Sequence, residues 1–220
     1  MLAGIANQPL SPRDIRGLRL GVPRGLLFSN TQDEVLTAVE QALAALAMAG
    51  ATVTAPALDD LLGEPFRLQE RGTLVAAEAA WIHRDGTATR PEAYDPMVLG
   101  RIRRGQAMDA ASYVGIQQAR TALMGAFDAR VAGLDALLLP TVPLLAPLMN
   151  EVQDEDAFLR INALLLRNPS VFNFFDLPAL SLPLPRQRGL AVGLMLVGKR
   201  GGDRELLALG AAVEGLLLQR

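Results

Sequence analysis

The chain has 220 residues, 50% of them hydrophobic and 20% charged, which is a globular composition. This length is enough for one substantial domain, or for a large piece of a bigger one, and for a sizeable core. Its formal net charge is −2, so there is no basic excess that would favour binding to a nucleic-acid backbone. It contains no cysteine, which excludes disulfides, thiolate catalysis and cysteine-ligated zinc.

The first part of the chain predicts a strand–helix–strand unit. LRLGVP, residues 18–23, alternates in polarity and ends in a turn, which favours a strand. Thr31 and Glu34 have the spacing of a capping box, and apolar residues then recur every three or four positions as far as Gly50, which indicates a helix. ATVTAP, residues 51–56, is typical of a second strand. This order is that of a βαβ crossover.

The middle of the chain, residues 57–133, is predicted to be mainly helical. The helical segments with few breakers are 74–82, 97–104 and 110–131. His83 is the only histidine, so a Ser-His-Asp triad would have to include it. Because it stands where a helix would run into a turn, we interpret it as a structural or surface residue.

The last third of the chain returns to alternating strands and helices. LDALLLPTVP, residues 134–143, has the central apolar run of a strand that is covered on both faces. Helical spacing follows at 155–167, and two further strands are predicted at 179–185 and 192–199, joined by a turn at RQRG. Asp203 is a good N-cap for a final helix. The sequence thus predicts an α/β chain with about five strands and about six to eight helices.

Few residues in this chain are candidates for chemistry. The serines, at positions 11, 29, 112, 170 and 181, lie neither in G-x-S-x-G nor three residues before a lysine. Lys199, the only lysine, lies in VGKRGGD, which lacks the order of a phosphate loop and favours a strand-to-helix turn. The acidic group of Glu151 and Asp154–Asp156 is typical of a helix start rather than a metal site. From the residues alone we predict no catalytic residue, metal or cofactor.

Two further groups have both a structural and a functional interpretation. Asp59 and Asp60 follow a predicted strand, and no nearby residue pairs with them as a general acid or base. We expect them to cap the next helix. Phe172, Phe174 and Phe175 are expected to pack in the core, and the alternative is an apolar wall of a substrate pocket.

The sequence contains no membrane or export signal that we recognise. No apolar run approaches the roughly 20 residues that span a bilayer. The first residues, MLAGIANQPLSPRD, lack the basic and apolar regions of a signal peptide. We therefore expect a cytoplasmic protein.

Several segments in order resemble the C-terminal region of the amidase-signature family. They are LRLGVPRG (18–25), AGAT (49–52), YDPMVLGRIRRGQAMDAASY (94–113), LDALLLPTVPLLAP (134–147), RNPSVFNFFDLPALSLPLP (167–185) and GLAVGLMLVGKRGGDRELL (189–207). The order and spacing of these segments over residues 17–218 carry the resemblance. The chain departs from the family pattern at Ala191, where proline is usual, and at Phe175–Asp176, which replace a small residue and glycine.

The resemblance implies an α/β/α sandwich with a mixed, mostly parallel central sheet covered by helices. It also implies hydrolysis of a carboxamide C–N bond, or ammonia transfer from one, by a Ser–cis-Ser–Lys triad and an oxyanion hole of backbone amides. Both catalytic elements lie upstream of the region that this chain resembles, and Met1–Gly4 is similar to the helix end that follows them. We therefore expect residues 1–220 to be a single, incomplete C-terminal amidase-like domain that is inactive alone.

By their positions in the resemblance, Arg167, Asn173 and Tyr113 are the expected contacts to a small carboxamide substrate, and Arg167 has the fork geometry to hold a carboxylate. The alternative for each is a helix-end or core hydrogen bond. A second interpretation of the whole chain is a non-catalytic binding or assembly module, or one half of a split amidase or amidotransferase. The expected partners are another copy of the chain or a polypeptide carrying the catalytic half.

Overall fold

The computed structural model describes residues 10–11, 13–70 and 72–218, so Met1–Gly4 lies outside the described residues. The described chain forms two compact units. The first unit contains the described residues up to Leu62 and from Phe127 onward, and the second is Gly63–Ala126. Within the described residues, no helix is both long enough and apolar enough to cross a bilayer.

The first unit is built on one five-stranded sheet. Its strands are β1 (Arg19–Gly21), β2 (Thr52–Thr54), β3 (Ala136–Pro140), β4 (Ala179–Gln187) and β5 (Leu190–Val197), in the spatial order β2-β1-β3-β5-β4. β1 is parallel to β2 and β3, whereas β5 is antiparallel to β3 and β4. β4 consequently runs in the same direction as the first three strands. The prediction of a mixed, mostly parallel α/β sheet is confirmed.

Helices make up most of the remaining described chain. In the first unit they are α1 (Asp33–Met48), α2 (Asp59–Leu62), α8 (Glu155–Phe174) and α9 (Asp203–Leu217), and in the second α3 (Glu64–Leu68), α4 (Leu74–Ile82), α5 (Arg84–Thr89) and α6 (Pro96–Gly105). The long helix α7 (Ala110–Val131) begins in the second unit and ends in the first. Short 3-10 helices occur at Leu26–Phe28, Pro91–Ala93 and Met149–Val152. The predicted segments 74–82 and 110–131 match α4 and α7.

The core of the first unit lies on the face of the sheet that α1 and α9 cover. All five residues of β3 are buried. Because side chains alternate between faces, Leu138 of β3 joins Leu194 and Leu196 of β5 in the cluster that packs on these helices. On the opposite face, Leu137 and Val197 line a small cavity with Phe127 from the end of α7. The central strands are therefore covered on both faces, as predicted.

The start of α1 differs from the prediction. The helix begins at Asp33 after an extended Gln32, and no side chain caps it, so the capping box of Thr31 and Glu34 does not form. The Gln32 side chain instead accepts a hydrogen bond from the Leu145 N–H at 2.7 Å. Gln32 thus ties the first turn of α1 to the loop that follows β3.

The predicted turn at RQRG forms a tight hairpin between β4 and β5. Arg188 and Gly189 have φ angles of 51° and 78°, the left-handed conformations that a two-residue type I′ hairpin requires. The last helix also differs slightly from the prediction, because Asp203 is its first residue and Gly202 occupies the N-cap.

The aspartates after β2 have other partners than expected. Asp59 lies in the first turn of α2, but its carboxylate accepts the Leu26 N–H at 3.1 Å and so caps the neighbouring 3-10 helix. Gly25 precedes that helix with a φ of 101°, and a Cβ there would lie 2.1 Å from an Asp59 oxygen. Asp60 forms an ion pair with Arg130 at 3.1 Å.

Candidate functional site

The winding of the sheet changes direction between β1 and β3. The chain leaves β1, passes through α1 and adds β2 on one side, whereas β3 adds on the other side of β1. In open α/β sheets, ligands bind at such a switch point, beyond the carboxyl ends of the parallel strands. The loops at this point are residues 22–32 and 141–148. We therefore take this end of the sheet as the candidate site.

Arg167, from α8, binds the loop that follows β1. Only 8% of the residue is exposed. Its guanidinium donates to the carbonyl and hydroxyl oxygens of Ser29, at 2.6 and 2.9 Å, and to the carbonyl of Leu27 at 2.9 Å. Burial disfavours the charged form and lowers the pKa of the guanidinium from its ordinary value. This is the core hydrogen-bonding role that the sequence left open, and substrate binding by Arg167 stays a prediction.

Asn168 is a buried site residue that the sequence analysis missed. Its side chain is fully buried, and Nδ2 donates to the carbonyls of Pro140 at 2.8 Å and Leu27 at 3.1 Å. Its Oδ1 accepts Nε of Arg167 at 3.0 Å. Asn168 therefore joins the end of β3 to the loop after β1. The one available signal was an asparagine placed directly before the helix-internal Pro169.

Asn173 lies farther along α8 and is exposed. It borders a shallow depression of about 520 Å³ with Asp176, Pro178 and Arg200. Arg167, by contrast, is buried against the loop after β1. The two predicted residues of α8 therefore do not point into one cluster, and the substrate contact of Asn173 stays a prediction.

Tyr113 belongs to the second unit. Its hydroxyl donates to Oε1 of Glu78 at 3.0 Å and accepts from Nε2 of Gln117 at 3.3 Å. It lines an open groove of about 930 Å³ that also includes the exposed side chains of Trp81 and Val114. Its contact to a substrate also stays a prediction.

A pair of hydroxyl groups lies beside the carboxyl end of β3. Oγ1 of Thr141 and Oγ of Ser181 are 2.6 Å apart. The Thr141 N–H donates to the carbonyl of Gly193, at 2.9 Å. A Cβ on Gly193 would lie 2.6 Å from both hydroxyl oxygens, so the pair depends on a glycine in β5.

Three potentially nucleophilic groups of the first unit donate to backbone carbonyls. Ser29 Oγ does so at 2.7 Å, Ser170 Oγ at 3.0 Å and Lys199 Nζ at 3.1 Å. A serine nucleophile needs a base that takes its proton, and a carbonyl oxygen is not one. These contacts agree with the structural interpretation of Lys199 and its glycine-rich turn.

Ser112 is the one described serine whose hydroxyl donates to a carboxylate, that of Asp109 at 2.8 Å. Hydrogen bonds from the Ser112 N–H and hydroxyl lower the pKa of Asp109 from its ordinary value. A lowered pKa makes this carboxylate a weaker base. The pair stands at the start of α7 and has the geometry of a helix cap.

The histidine and the acidic group also have structural partners. His83 follows the last residue of α4, and its Nδ1 lies 3.2 Å from the Tyr94 hydroxyl. The carboxylate of Asp154 caps α8 by accepting the Ala157 N–H at 2.8 Å. The predicted helix-end positions of both groups are confirmed. Among the described residues, no group of three or more His, Asp or Glu side chains has the arrangement of a metal site.

The segment that ends α8 keeps the backbone shape expected of glycine. Asp176 has a φ of 57°, in the left-handed region that glycine adopts most easily. Arg200 donates to the carbonyls of Phe175 and Asp176, at 2.5 and 3.3 Å, and pairs with Asp128 at 3.3 Å. Phe172 and Phe175 are fully buried, and Phe175 stacks on Phe127 with ring centroids 4.7 Å apart, as the core interpretation predicted.

The chain matches the protein family described as Amidase over residues 6–207. It is 30% identical over 211 residues to the 2-amino-5-chloromuconic acid deaminase of Comamonas testosteroni, with 95% of this chain and 45% of the relative covered. It is 29% identical over 221 residues to a glutamyl-tRNA(Gln) amidotransferase subunit of Symbiobacterium thermophilum, with 91% and 45% covered.

The fold is also that of a solved amidase. A crystal structure of an amidase superposes with a TM-score of 0.79 at 30% identity, covering 96% of this chain and 48% of the amidase. The chain therefore spans about half the length of the relatives that it matches. Since the family match includes most of the sequence, the chain belongs to the amidase family.

Proposed function

We propose that this chain is the substrate-side, C-terminal part of an amidase that hydrolyses a carboxamide C–N bond to a carboxylate and ammonia. The observation that carries the proposal is the family match over residues 6–207, in a chain about half as long as its relatives. In this proposal, residues 1–220 form one incomplete domain, and a segment with the Ser–cis-Ser–Lys triad completes the enzyme in the cytoplasm.

The hydrogen bonds of the chain support the proposal that it is inactive alone. The hydroxyls of Ser29 and Ser170 and the amino group of Lys199 bind backbone carbonyls rather than each other. The carboxylate beside Ser112 has a lowered pKa and is a weak base. None of these arrangements supplies the activated serine that amide hydrolysis requires.

Within the complete enzyme, we propose Arg167, Asn173 and Tyr113 as the candidates for substrate contacts. The exposed amide of Asn173 suits a carboxamide, to which it can both donate and accept. Tyr113 lines a groove of about 930 Å³, a volume that would hold an apolar substituent. The donors of Arg167 are turned to Leu27 and Ser29, so any substrate contact would require them to separate from that loop.

A second candidate function is one half of a split amidase or amidotransferase, or a non-catalytic assembly module. The observation that favours it is the similarity to a protein named as a subunit, the glutamyl-tRNA(Gln) amidotransferase subunit of Symbiobacterium thermophilum. In that case the missing half would be a separate polypeptide. Size-exclusion chromatography separates these cases, because an assembly module would self-associate without the catalytic half.

The proposal is tested with a chimera in which this chain replaces the matching region of the solved amidase. We expect the chimera to release ammonia from amides that the host accepts, whereas the 220-residue chain releases none. The matched control is the chimera with the host's nucleophilic serine changed to alanine. Ammonia release by the chain alone, abolished by Ser29→Ala, Ser112→Ala, Ser170→Ala or Ser181→Ala, would overturn the proposal. A folded chimera without activity would overturn it too.

A further inference from the structure

The helical second unit contains an open groove between α4 and the start of α7. It has a volume of about 930 Å³, and Gly105 and Gln106 from the end of α6 also line it. Three large apolar side chains line the groove while remaining mostly exposed: Trp81 at 69%, Ile82 at 65% and Val114 at 52%. Single exposed apolar residues are common, but a group of them in one concave surface is typical of a binding site.

The sequence of α4 explains why this surface is open. LVAAEAAWI, residues 74–82, is apolar except for Glu78, a pattern typical of a helix that is buried on all sides. Only two of its nine residues are buried, however. One side packs so closely on α6 that a Cβ on Gly105 would lie 1.9 Å from the carbonyl oxygen of Ala76. The apolar side that faces the groove has no such cover in the described part of the chain.

Glu78 places a negative charge in this apolar surface. Its Oε1 accepts the Tyr113 hydroxyl at 3.0 Å, and among the described residues no basic side chain pairs with it. Because positions three and four residues apart lie on one side of a helix, the carboxylate shares its side of α4 with Trp81 and Ile82. A carboxylate without a counter-ion, beside an apolar surface, is complementary to a cation with an apolar body.

The other charged groups of the groove already have partners. Asp109 accepts the N–H and the hydroxyl of Ser112, both at 2.8 Å, and offsets the positive end of α7. Arg84 is the one basic residue among the described residues that line the groove. It donates to the Trp81 carbonyl at 2.9 Å and lies 3.6 Å from the carboxylate of Asp85. The carboxylate on α4 is therefore the charge that remains for a ligand.

The indole of Trp81 also suits a cation. The guanidinium carbon of Arg84 lies 4.9 Å from the centroid of this ring, the distance of a cation–π contact. Since most of Trp81 is nevertheless exposed, the ring remains accessible to a ligand as well.

We propose that this groove binds an apolar organic cation, with its ammonium or guanidinium group at Glu78 and its hydrocarbon part against Trp81 and Val114. The site goes beyond the proposed amide hydrolysis, because binding needs only residues of the second unit. Two sources have this chemistry, a cationic substituent of the amide substrate and a separate small molecule.

Tryptophan fluorescence tests the proposal directly, because Trp81 is the only tryptophan of the chain. The probe is 2-phenylethylammonium, titrated into the 220-residue chain at neutral pH, and its uncharged counterpart is 2-phenylethanol. We expect a saturable change in fluorescence with both, and an affinity about fivefold higher for the ammonium. Added salt should reduce this difference, since it screens an exposed charge pair.

Two variants separate the charge from the apolar contact, both at exposed positions. Glu78→Gln can still accept the Tyr113 hydroxyl, and it should lower the affinity for the ammonium about fivefold and leave that for the alcohol unchanged. Val114→Ser should lower both affinities by about threefold, because it removes apolar contact area. Glu92→Gln, which removes an exposed carboxylate of the same unit outside the groove, is the matched control and should change neither.

Kinetics of the amidase chimera distinguish the two sources of the cation. The amides are 4-(aminomethyl)benzamide, which carries an ammonium group, and the neutral 4-(hydroxymethyl)benzamide. A KM that Glu78→Gln raises only for the cationic amide assigns the cation to the substrate. Unchanged KM values, together with binding of the probe to the chain, assign the groove to a separate small molecule.

Three results would overturn the proposal. They are equal affinities for the ammonium and the alcohol, full affinity of the Glu78→Gln variant for the ammonium, and an equal loss of affinity in the Glu92→Gln control. A titration without a saturable change in fluorescence would overturn it too. Failure of the proposed function is distinguishable, because a folded chimera without activity leaves the affinities of the 220-residue chain unchanged.

Discussion

Nδ2 of Asn168 lies 2.8 Å from the carbonyl oxygen of Pro140, the last residue of β3. The same amide group bonds the carbonyl of Leu27, so one side chain satisfies two acceptors at the switch point of the sheet. Buried polar groups are stabilising only when they are paired. The position of α8 against the strand ends therefore depends on this amide.

Asn168→Ala should lower the free energy of unfolding by about 2–3 kcal/mol, because it leaves the Pro140 carbonyl without a partner and opens a cavity. Chemical denaturation followed by circular dichroism measures the change. Asn173→Ala, an exposed site on the same helix, is the control and should cost no more than about 0.5 kcal/mol. Equal stability of the two variants would contradict the assigned role of Asn168.

Gly193→Ala should also destabilise the fold, by about 1–3 kcal/mol, because the added methyl meets two hydroxyl oxygens at 2.6 Å. Removing one of the two hydroxyl oxygens makes room for the added methyl group. In the Ser181→Ala background, we therefore expect a smaller effect of Gly193→Ala, measured as a non-additive double-mutant cycle. If the two changes were additive, the contact between Gly193 and the hydroxyl pair would not be the cause.

The sequence predicted elements well where the pattern is local. The segments 74–82 and 110–131 match helices because their periodicity is long and uninterrupted. The predicted end of a helix at 167 is wrong, because α8 continues through Pro169 to Phe174. A proline inside a helix costs about 3 kcal/mol. Burying the side chains of Phe172 and Phe175 contributes about 1.5–3 kcal/mol each, enough to offset it.

The candidate site was less predictable because its contacts are distant in the sequence. Asn168 donates hydrogen bonds to the carbonyl of Pro140, which is 28 positions away in the sequence, and to that of Leu27, which is 141 positions away. No periodicity or spacing brings Leu27, Pro140 and Asn168 together before the sheet order is known. The resemblance identified Arg167 by its position but could not show that loop carbonyls occupy its donors.

The backbone at Asp176 makes its tolerance to substitution predictable. With a φ of 57°, this position suits glycine and strongly disfavours a β-branched residue. We expect Asp176→Gly to change the free energy of unfolding by about 1 kcal/mol or less, and Asp176→Val to lower it by about 1–3 kcal/mol. Chemical denaturation of the two variants gives the order of their free energies of unfolding. A valine variant as stable as the glycine variant would contradict the left-handed conformation.

Asp135 should make the fold sensitive to acid. Burial tends to raise the pKa of this carboxyl, but the hydrogen bond from the Arg19 N–H and the charges of Arg13 and Arg19 outweigh it and lower the pKa from its ordinary value. A carboxylate with a lowered pKa stabilises the fold above its unfolded pKa, about 3.9, and the stabilisation is lost as pH falls through the folded value.

The stability difference between the unsubstituted chain and Asp135→Asn should therefore be largest near neutral pH and shrink between about pH 5 and pH 3. Urea denaturation at several pH values measures it. Asp156→Asn, which removes one exposed carboxylate from the first turn of α8, is the matched control. A difference that grows on acidification would show that the ion pairs of Asp135 do not act as assigned.

The two roles left open for Arg167 predict different outcomes for Arg167→Lys. The guanidinium serves Leu27, Ser29 and Asn168 through donors in a fixed fork, whereas a lysine ammonium is a single compact centre that cannot reach all of them. We expect the free energy of unfolding to fall by about 2–3 kcal/mol in the 220-residue chain. In the amidase chimera, KM should then change to a similar extent for amides with and without a carboxylate. A fully stable variant with a raised KM only for carboxylate-bearing amides would instead assign Arg167 to the substrate.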